Sequence, residues 1–146
     1  MAVPEINMSA IVNADNERFY RYLKRHQLRV QKCTGCGALR YPARSICPKC
    51  LGADSEWVKL SGDGVVEALA WYFQNLPGGQ AADGWSQSDC LPYNVAVVEL
   101  AEGPHVFANI DGVAFGEIRI GQQVQANFVD VTDNYATLHF RPMVRT

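Results

Sequence analysis

The chain has 146 residues, 48% of them hydrophobic, enough for one medium domain or two small modules built around a core. No apolar run approaches the ~20 residues of a membrane helix, and the opening MAVPEINMSAIV lacks the basic start and apolar stretch of a secretory signal. A formal net charge of −2 excludes the basic balance of a dedicated DNA binder, but residues 1–50 carry nine Lys/Arg against three Asp/Glu and residues 51–146 four against twelve.

Residues 1–13 show little periodicity and read as an extended or poorly ordered lead-in. Helical character follows in DNERFYRYLKRHQL, with Asn13 or Asp15 as the expected cap. Phe19, Tyr22, Leu23 and His26 fall on one stripe, and Arg18, Arg21, Lys24 and Arg25 fill much of the remaining surface. A helix this short needs a surface to pack on, either in its own domain or on another protein.

LRVQKC reads as a strand that feeds a cysteine motif. Cys33 and Cys36 form one CxxC pair and Cys47 and Cys50 another, separated by the ten residues GALRYPARSI. Each pair brings two sulfurs to one ion across a tight turn, for which Gly35 and Gly37 are expected to supply backbone freedom. Four thiolates suit zinc or iron, and a closed shell of this kind holds a fold together without hydrolytic chemistry. Two disulfides require an oxidising compartment that nothing here indicates, and a redox CxxC begins a helix rather than a tandem pair. Structural zinc in a cytoplasmic protein is the expectation. Cys90 stands apart and reads as a small buried residue.

In LGADSEWVKLSG, the residues Trp57, Val58 and Leu60 are expected to pack, and SGDG at 61–64 is a turn that separates the modules. The expected units are 1–30 (lead-in and amphipathic helix), 31–60 (zinc ribbon) and 61–146 (barrel). From Gly64 onward five strand patterns appear: GVVEALAWYF, NVAVVEL, HVFANID, QVQANFVDV and YATLHFRP. The first places Val66, Ala68, Ala70 and Tyr72 on one face. In the fourth, Val124, Ala126 and Phe128 point inward and Gln123, Gln125 and Asn127 outward. Five strands without room for crossover helices indicate a small antiparallel barrel of the OB type, ahead of a sandwich. The fold class is therefore mainly β with one short N-terminal helix. A long loop, QNLPGGQAADGWSQSDCLP, joins the first two barrel strands, and Trp85 within it can anchor a partner or pin the loop.

CTGCGALRYPAR, with Tyr41, Pro42 and Arg44 after the first knuckle, CPKC, SGDGVVEAL, PYNVAVVELAEG and IRIGQQVQANF together resemble a known family. It comprises rubredoxin-like zinc-ribbon plus OB-fold proteins associated with acyl-CoA metabolism, and the likeness spans roughly residues 15 to 142. Leu51 departs from it, standing where the family often has glycine. The resemblance implies an accessory subunit of a thiolase-fold enzyme (a thiolase, an acyltransferase-type condensing enzyme, or most closely a steroid side-chain aldolase) that stabilises its partner and helps hold CoA. Catalytic residues would then belong to the partner.

A direct search for catalytic groups agrees. His26, His105 and His139 are scattered, with His139 expected to be half-exposed, and no nucleophile elbow or phosphate-cradling glycine loop appears. Contact with CoA would draw on arginine and lysine for phosphate: Arg18, Arg21, Lys24, Arg25, Arg29 and Lys32, then Arg40 and Arg44. Tyr41 or Trp85 would supply an exposed ring for adenine. The alternative function is a module binding single-stranded nucleic acid, since OB barrels and zinc ribbons serve that role elsewhere. The acidic barrel half opposes it.

Overall fold

The computed structural model describes residues 13–73, 92–131 and 133–143. Among these residues one helix, α1 (Glu17–Lys24), precedes eight strands: β1 (Arg29–Cys33), β2 (Leu39–Arg40), β3 (Ser55–Lys59), β4 (Asp63–Tyr72), β5 (Tyr93–Leu100), β6 (His105–Ala108), β7 (Gln123–Asp130) and β8 (Ala136–Pro142). They form a three-stranded sheet ordered β2-β1-β3 and a five-stranded sheet ordered β6-β5-β4-β7-β8. The long loop, with Trp85 and Cys90, lies outside the described residues, as does the lead-in before Asn13.

The helix is shorter than its sequence pattern. The Asn13 side chain accepts the N–H groups of Asp15 and Asn16 at 2.9 and 3.0 Å, while Asn16 Oδ1 accepts the Asn13 N–H at 2.7 Å. This reciprocal turn moves the cap to Asn16, beyond both expected positions. At the other end His26 adopts φ 57°, its N–H bonds the Leu23 carbonyl at 2.8 Å, and the Gln27 N–H bonds the Tyr22 carbonyl at 3.0 Å. That is a Schellman stop, with histidine in the place usual for glycine.

The stripe does bury within its own chain. Phe19 and Leu23 are buried, Phe19 packs on Tyr41 with ring centroids 5.4 Å apart, and Tyr22 meets Trp57 at 5.7 Å. Towards the barrel Tyr20 meets Tyr135 at 6.3 Å, and His26 stacks on Phe128 at 5.5 Å. The helix thus keys into both sheets. Leu23, Leu28, Val30 and Leu60 join Val66, Val98, Val106, Val124 and Phe140 in one continuous core.

The barrel sheet is antiparallel along its length, but its closure is parallel: Ile110 bridges Phe140. The Phe140 N–H donates to Asn109 O at 2.9 Å and the Asp111 N–H to Phe140 O at 2.7 Å. The buried Asn94 side chain orients this segment, donating to Ile110 O at 2.9 Å and accepting the Ile110 N–H at 2.6 Å. Strand order with a parallel bridge between the third and fifth barrel strands is the OB arrangement.

Two facial expectations change. A bulge between Val66 and Ala68 inserts Glu67, so Val66 is buried but Ala68 and Ala70 are exposed, and Leu69 takes over the inward position. His139 is 2% exposed rather than half-exposed, because Asp111, delivered by the closure, lies over it with carboxylate oxygens 2.9 and 3.0 Å from Nδ1. The expected 61–64 turn gives way to β4 at Asp63, and Gly64 within that strand has a packing role: a Cβ there would meet Val98 Cγ1 at 2.5 Å and Glu99 O at 2.9 Å.

Candidate metal centre and the arginine cleft

The two cysteine knuckles are built alike. The Cys33 N–H bonds Ala38 O and the Cys47 N–H bonds Gly52 O, each at 2.9 Å; the Gly37 N–H returns to Cys33 O and the Leu51 N–H to Cys47 O, again at 2.9 Å. The equivalent turn residues Gly37 and Leu51 have φ 78° and 62°. Gly37 therefore supplies the left-handed conformation, whereas Gly35 is not left-handed and has Cys50 Sγ 3.6 Å from where its Cβ would stand. Leu51 takes the left-handed conformation despite its side chain, which is 75% exposed and so gains little by packing. We expect Leu51→Gly to stabilise the zinc-loaded chain by about 0.5–1 kcal/mol, the strain relieved less the flexibility gained by the unfolded chain. A thermal melt at fixed zinc checks this, and an unchanged or lower midpoint would contradict it.

The four sulfurs converge. Cys33 Sγ lies 3.4 Å from Cys50 Sγ, and Cys36 Sγ lies 3.6 Å from Cys47 Sγ. All four lie within 4.8 Å of one another. A tetrahedral zinc with Zn–S near 2.3 Å has edges of about 3.8 Å, so this donor set fits one ion in a closed shell. Backbone N–H groups of Cys50 and Lys49 pull the Cys47 thiol down to about 6, and those of Cys36, with the Cys50 thiol, lower Cys33. The Gly52 N–H pulls on Cys50, but the surrounding thiols push it net up to about 11. Two sulfurs, Cys33 and Cys47, are buried and two face solvent. The site is a structural zinc centre.

The sequence-selected cations separate into two groups. Arg18 and Arg21 from α1 and Arg44 after β2 meet at a cleft of about 330 Å³ between helix and ribbon, also lined by Asp15, Glu17, Gln31 and Trp57. Arg21 pairs with Glu17 one turn earlier, and the Arg44 N–H donates to Gln31 Oε1 at 2.8 Å. Lys24 lies on the barrel side, 3.3 Å from Asp130, and Arg25 caps the helix. Tyr41 is half-buried rather than exposed: its ring packs on Phe19, and burial pushes its phenol up to about 12. Trp85 lies outside the described residues. Arg29 sits with its guanidinium carbon 5.1 Å from the Tyr22 ring centroid. The sequence reading missed Trp57 and Gln31 as cleft lining, because the cleft arises only when the helix crosses the ribbon face.

A second cluster lies on the outer barrel face, where His105 Nδ1 is 2.5 Å from Glu67 Oε2 beside Glu99, all exposed. Among the described residues no helix is long and apolar enough to cross a membrane.

A four-thiolate ribbon whose last strand leads directly into an OB barrel defines the class: a two-part zinc-ribbon/OB protein. The chain belongs to the ChsH2 (DUF35) family: the description "ChsH2, rubredoxin-like zinc ribbon domain" matches residues 22–56, and "ChsH2, C-terminal OB-fold domain" matches residues 57–129. The chain is 34% identical to a DUF35 domain-containing scaffold protein of Methanocaldococcus jannaschii, over 76% of this chain and 74% of that one. It is 31% identical to a probable enoyl-CoA hydratase alpha subunit of Thermomonospora curvata over 91% of this chain, but spans only 39% of that longer protein. The benzoylsuccinyl-CoA thiolase subunit BbsA of Thauera aromatica is 30% identical over 73% of this chain and 67% of its own. Among solved structures, a chain of the Ltp2-ChsH2(DUF35) aldolase superposes with a TM-score of 0.79 at 29% identity, over 93% of this chain and all of that one.

Proposed function

We propose that this chain is a cytoplasmic, non-catalytic accessory subunit of a thiolase-like enzyme acting on acyl-CoA thioesters, which it stabilises and helps to hold CoA. The observation that carries the reading is the likeness, over nearly the whole chain, to a chain of the Ltp2-ChsH2(DUF35) aldolase. A thiolase subunit and a scaffold protein among the relatives support the same role. Within this role a steroid side-chain aldolase is the partner we favour, ahead of a thiolase or an acyltransferase. The working division is 1–30, 31–60 and 61–146, and the contacts with CoA or partner are assigned to Arg18, Arg21, Lys24, Arg25, Tyr41, Arg44 and Trp85.

The hydrogen-bonding of polar side chains across the barrel closure, from exposed Arg141 to buried His139, is in keeping with a scaffold. Arg141 donates to Asn127 Oδ1, Asn127 to Asp111 Oδ2, and Asp111 engages His139, so these groups hold the barrel closed. The test is affinity purification of the tagged chain from its own host, with mass spectrometry and an acyl-CoA retro-aldol or thiolysis assay. A thiolase-fold protein recovered in near-equal amount, with turnover by the complex and none by the chain alone, is the expected result. A monomer with no such partner, or turnover by the chain alone, would overturn the reading.

A further inference from the structure

The outer face of the barrel carries a second set of metal-binding side chains, separate from the cysteines and spread over three neighbouring strands. Val65 on β4 is the register partner of Glu99 on β5, and Glu99 is the register partner of His105 on β6. Directly paired residues project from the same sheet face with their side chains in reach of one another. Glu67 joins this row from the bulge between Val66 and Ala68. A bulge raises the local twist and re-aims the side chain it carries. Here Glu67 reaches across β5 until its Oε2 lies 2.5 Å from His105 Nδ1. One donor atom from each of Glu67, Glu99 and His105 lies within 4.8 Å of the other two.

Strands β4, β5 and β6 hold no lysine and no arginine. Two carboxylates at this spacing repel one another, and a single imidazole cannot offset both charges. A divalent cation can. Nitrogen and oxygen ligands each about 2.0–2.2 Å from one ion stand roughly 3 Å apart, so the spacing of this set is within reach of it. His105 and Glu67 must part by roughly half an ångström to admit the ion. Their side chains are 49% and 47% exposed, which leaves them room to do so. The imidazole then ligates through Nδ1 and keeps its proton on Nε2.

We propose that Glu67, Glu99 and His105 form a second metal site, which binds one divalent transition cation of the zinc class. The imidazole selects such an ion over magnesium or calcium, which take oxygen ligands. The two carboxylates neutralise the dication, and three protein ligands leave a coordination position for water. The site therefore differs in kind from the four-sulfur centre: it is open at the surface, it ties down no part of the core, and its ion exchanges with solvent while the zinc of the ribbon stays. The site holds whether or not the partner assignment does.

The experiment uses the full chain without an affinity tag, loaded with one equivalent of zinc and freed of excess metal. Zinc chloride and, separately, magnesium chloride are then titrated into it by calorimetry. One further zinc per chain should bind saturably, and magnesium at the same concentrations should not. His105→Ala and Glu99→Gln should each weaken this second binding at least about tenfold. Both residues are exposed, so the variants should fold and keep the first zinc. The imidazole nitrogen resonances of His105 in the wild-type chain give an answer that needs no variant, since they must shift as the second equivalent is added. No second equivalent at millimolar zinc, a second equivalent that survives both substitutions, magnesium binding as tightly as zinc, or His105 resonances that stay still would each overturn the proposal.

Discussion

Cys47→Ser strips the chain of zinc and unfolds the ribbon. Cys47 is one of the two buried sulfurs, and backbone N–H groups hold its thiol down at about 6, so it is largely thiolate at neutral pH before any metal arrives. Serine offers no comparable ligand to a soft four-sulfur site. In small domains a structural zinc supplies on the order of 10 kcal/mol of folding free energy, comparable with the whole stability of an ordinary domain. The loss should reach past the ribbon, because Leu28, Val30 and Leu60 share one core with the barrel's Val66, Val98 and Phe140. We expect zinc content to fall from one per chain to near zero, with a single cooperative loss of β structure by circular dichroism at room temperature. Cys50→Ser should do less damage, since that residue lies at the surface. A Cys47→Ser protein that keeps its zinc and its melting point would refute this account.

Acid should mimic the substitution in the wild-type chain. The ligands bind metal only as thiolates, so protons compete with zinc and the bound state is favoured as pH rises. The depressed thiols of Cys33 and Cys47 are the last to be protonated as pH falls, whereas Cys50 relies on the metal itself to remain ionised at neutral pH.

What could be read in advance was whatever depends on local spacing. Two CxxC pairs ten residues apart define a ligand set without tertiary information, and their knuckles prove to share one hydrogen-bond pattern. The five barrel strands were legible from alternation and turn chemistry, since a half-buried strand writes its faces into every second residue. The bulge at Glu67 was not, because GVVEALAWYF is apolar on both faces and no residue marks the slip. The helix pattern runs on through His26 and Gln27, and nothing in it signals that His26 turns left-handed and ends the helix after Lys24. Arg40 reads as one more surface cation, yet in the folded chain it is 4% exposed. His139 was misjudged because its cover, Asp111, lies 28 residues away and arrives only when the barrel closes.

That closure is where the second large effect is expected. Phe140 is 0% exposed, and its backbone carries both bonds to the segment after β6. Phe140→Ala leaves those backbone groups in place but empties the side-chain position at the point where the sheet's two edge strands meet. Truncating a fully buried phenylalanine costs about 3–5 kcal/mol, from lost transfer free energy and the cavity left behind. In a chain of this size that corresponds to a fall of about 10–16 °C in melting temperature. Phe107→Ala is the matched control: the same residue type, on edge strand β6, but 73% exposed and paired outward with Val97. It should alter stability by no more than about 0.5 kcal/mol. Equal losses in the two variants would mean that the barrel does not close on Phe140, whereas a large loss confined to Phe140→Ala, with zinc retained, places the weight of the barrel on that single contact and separates it from the metal.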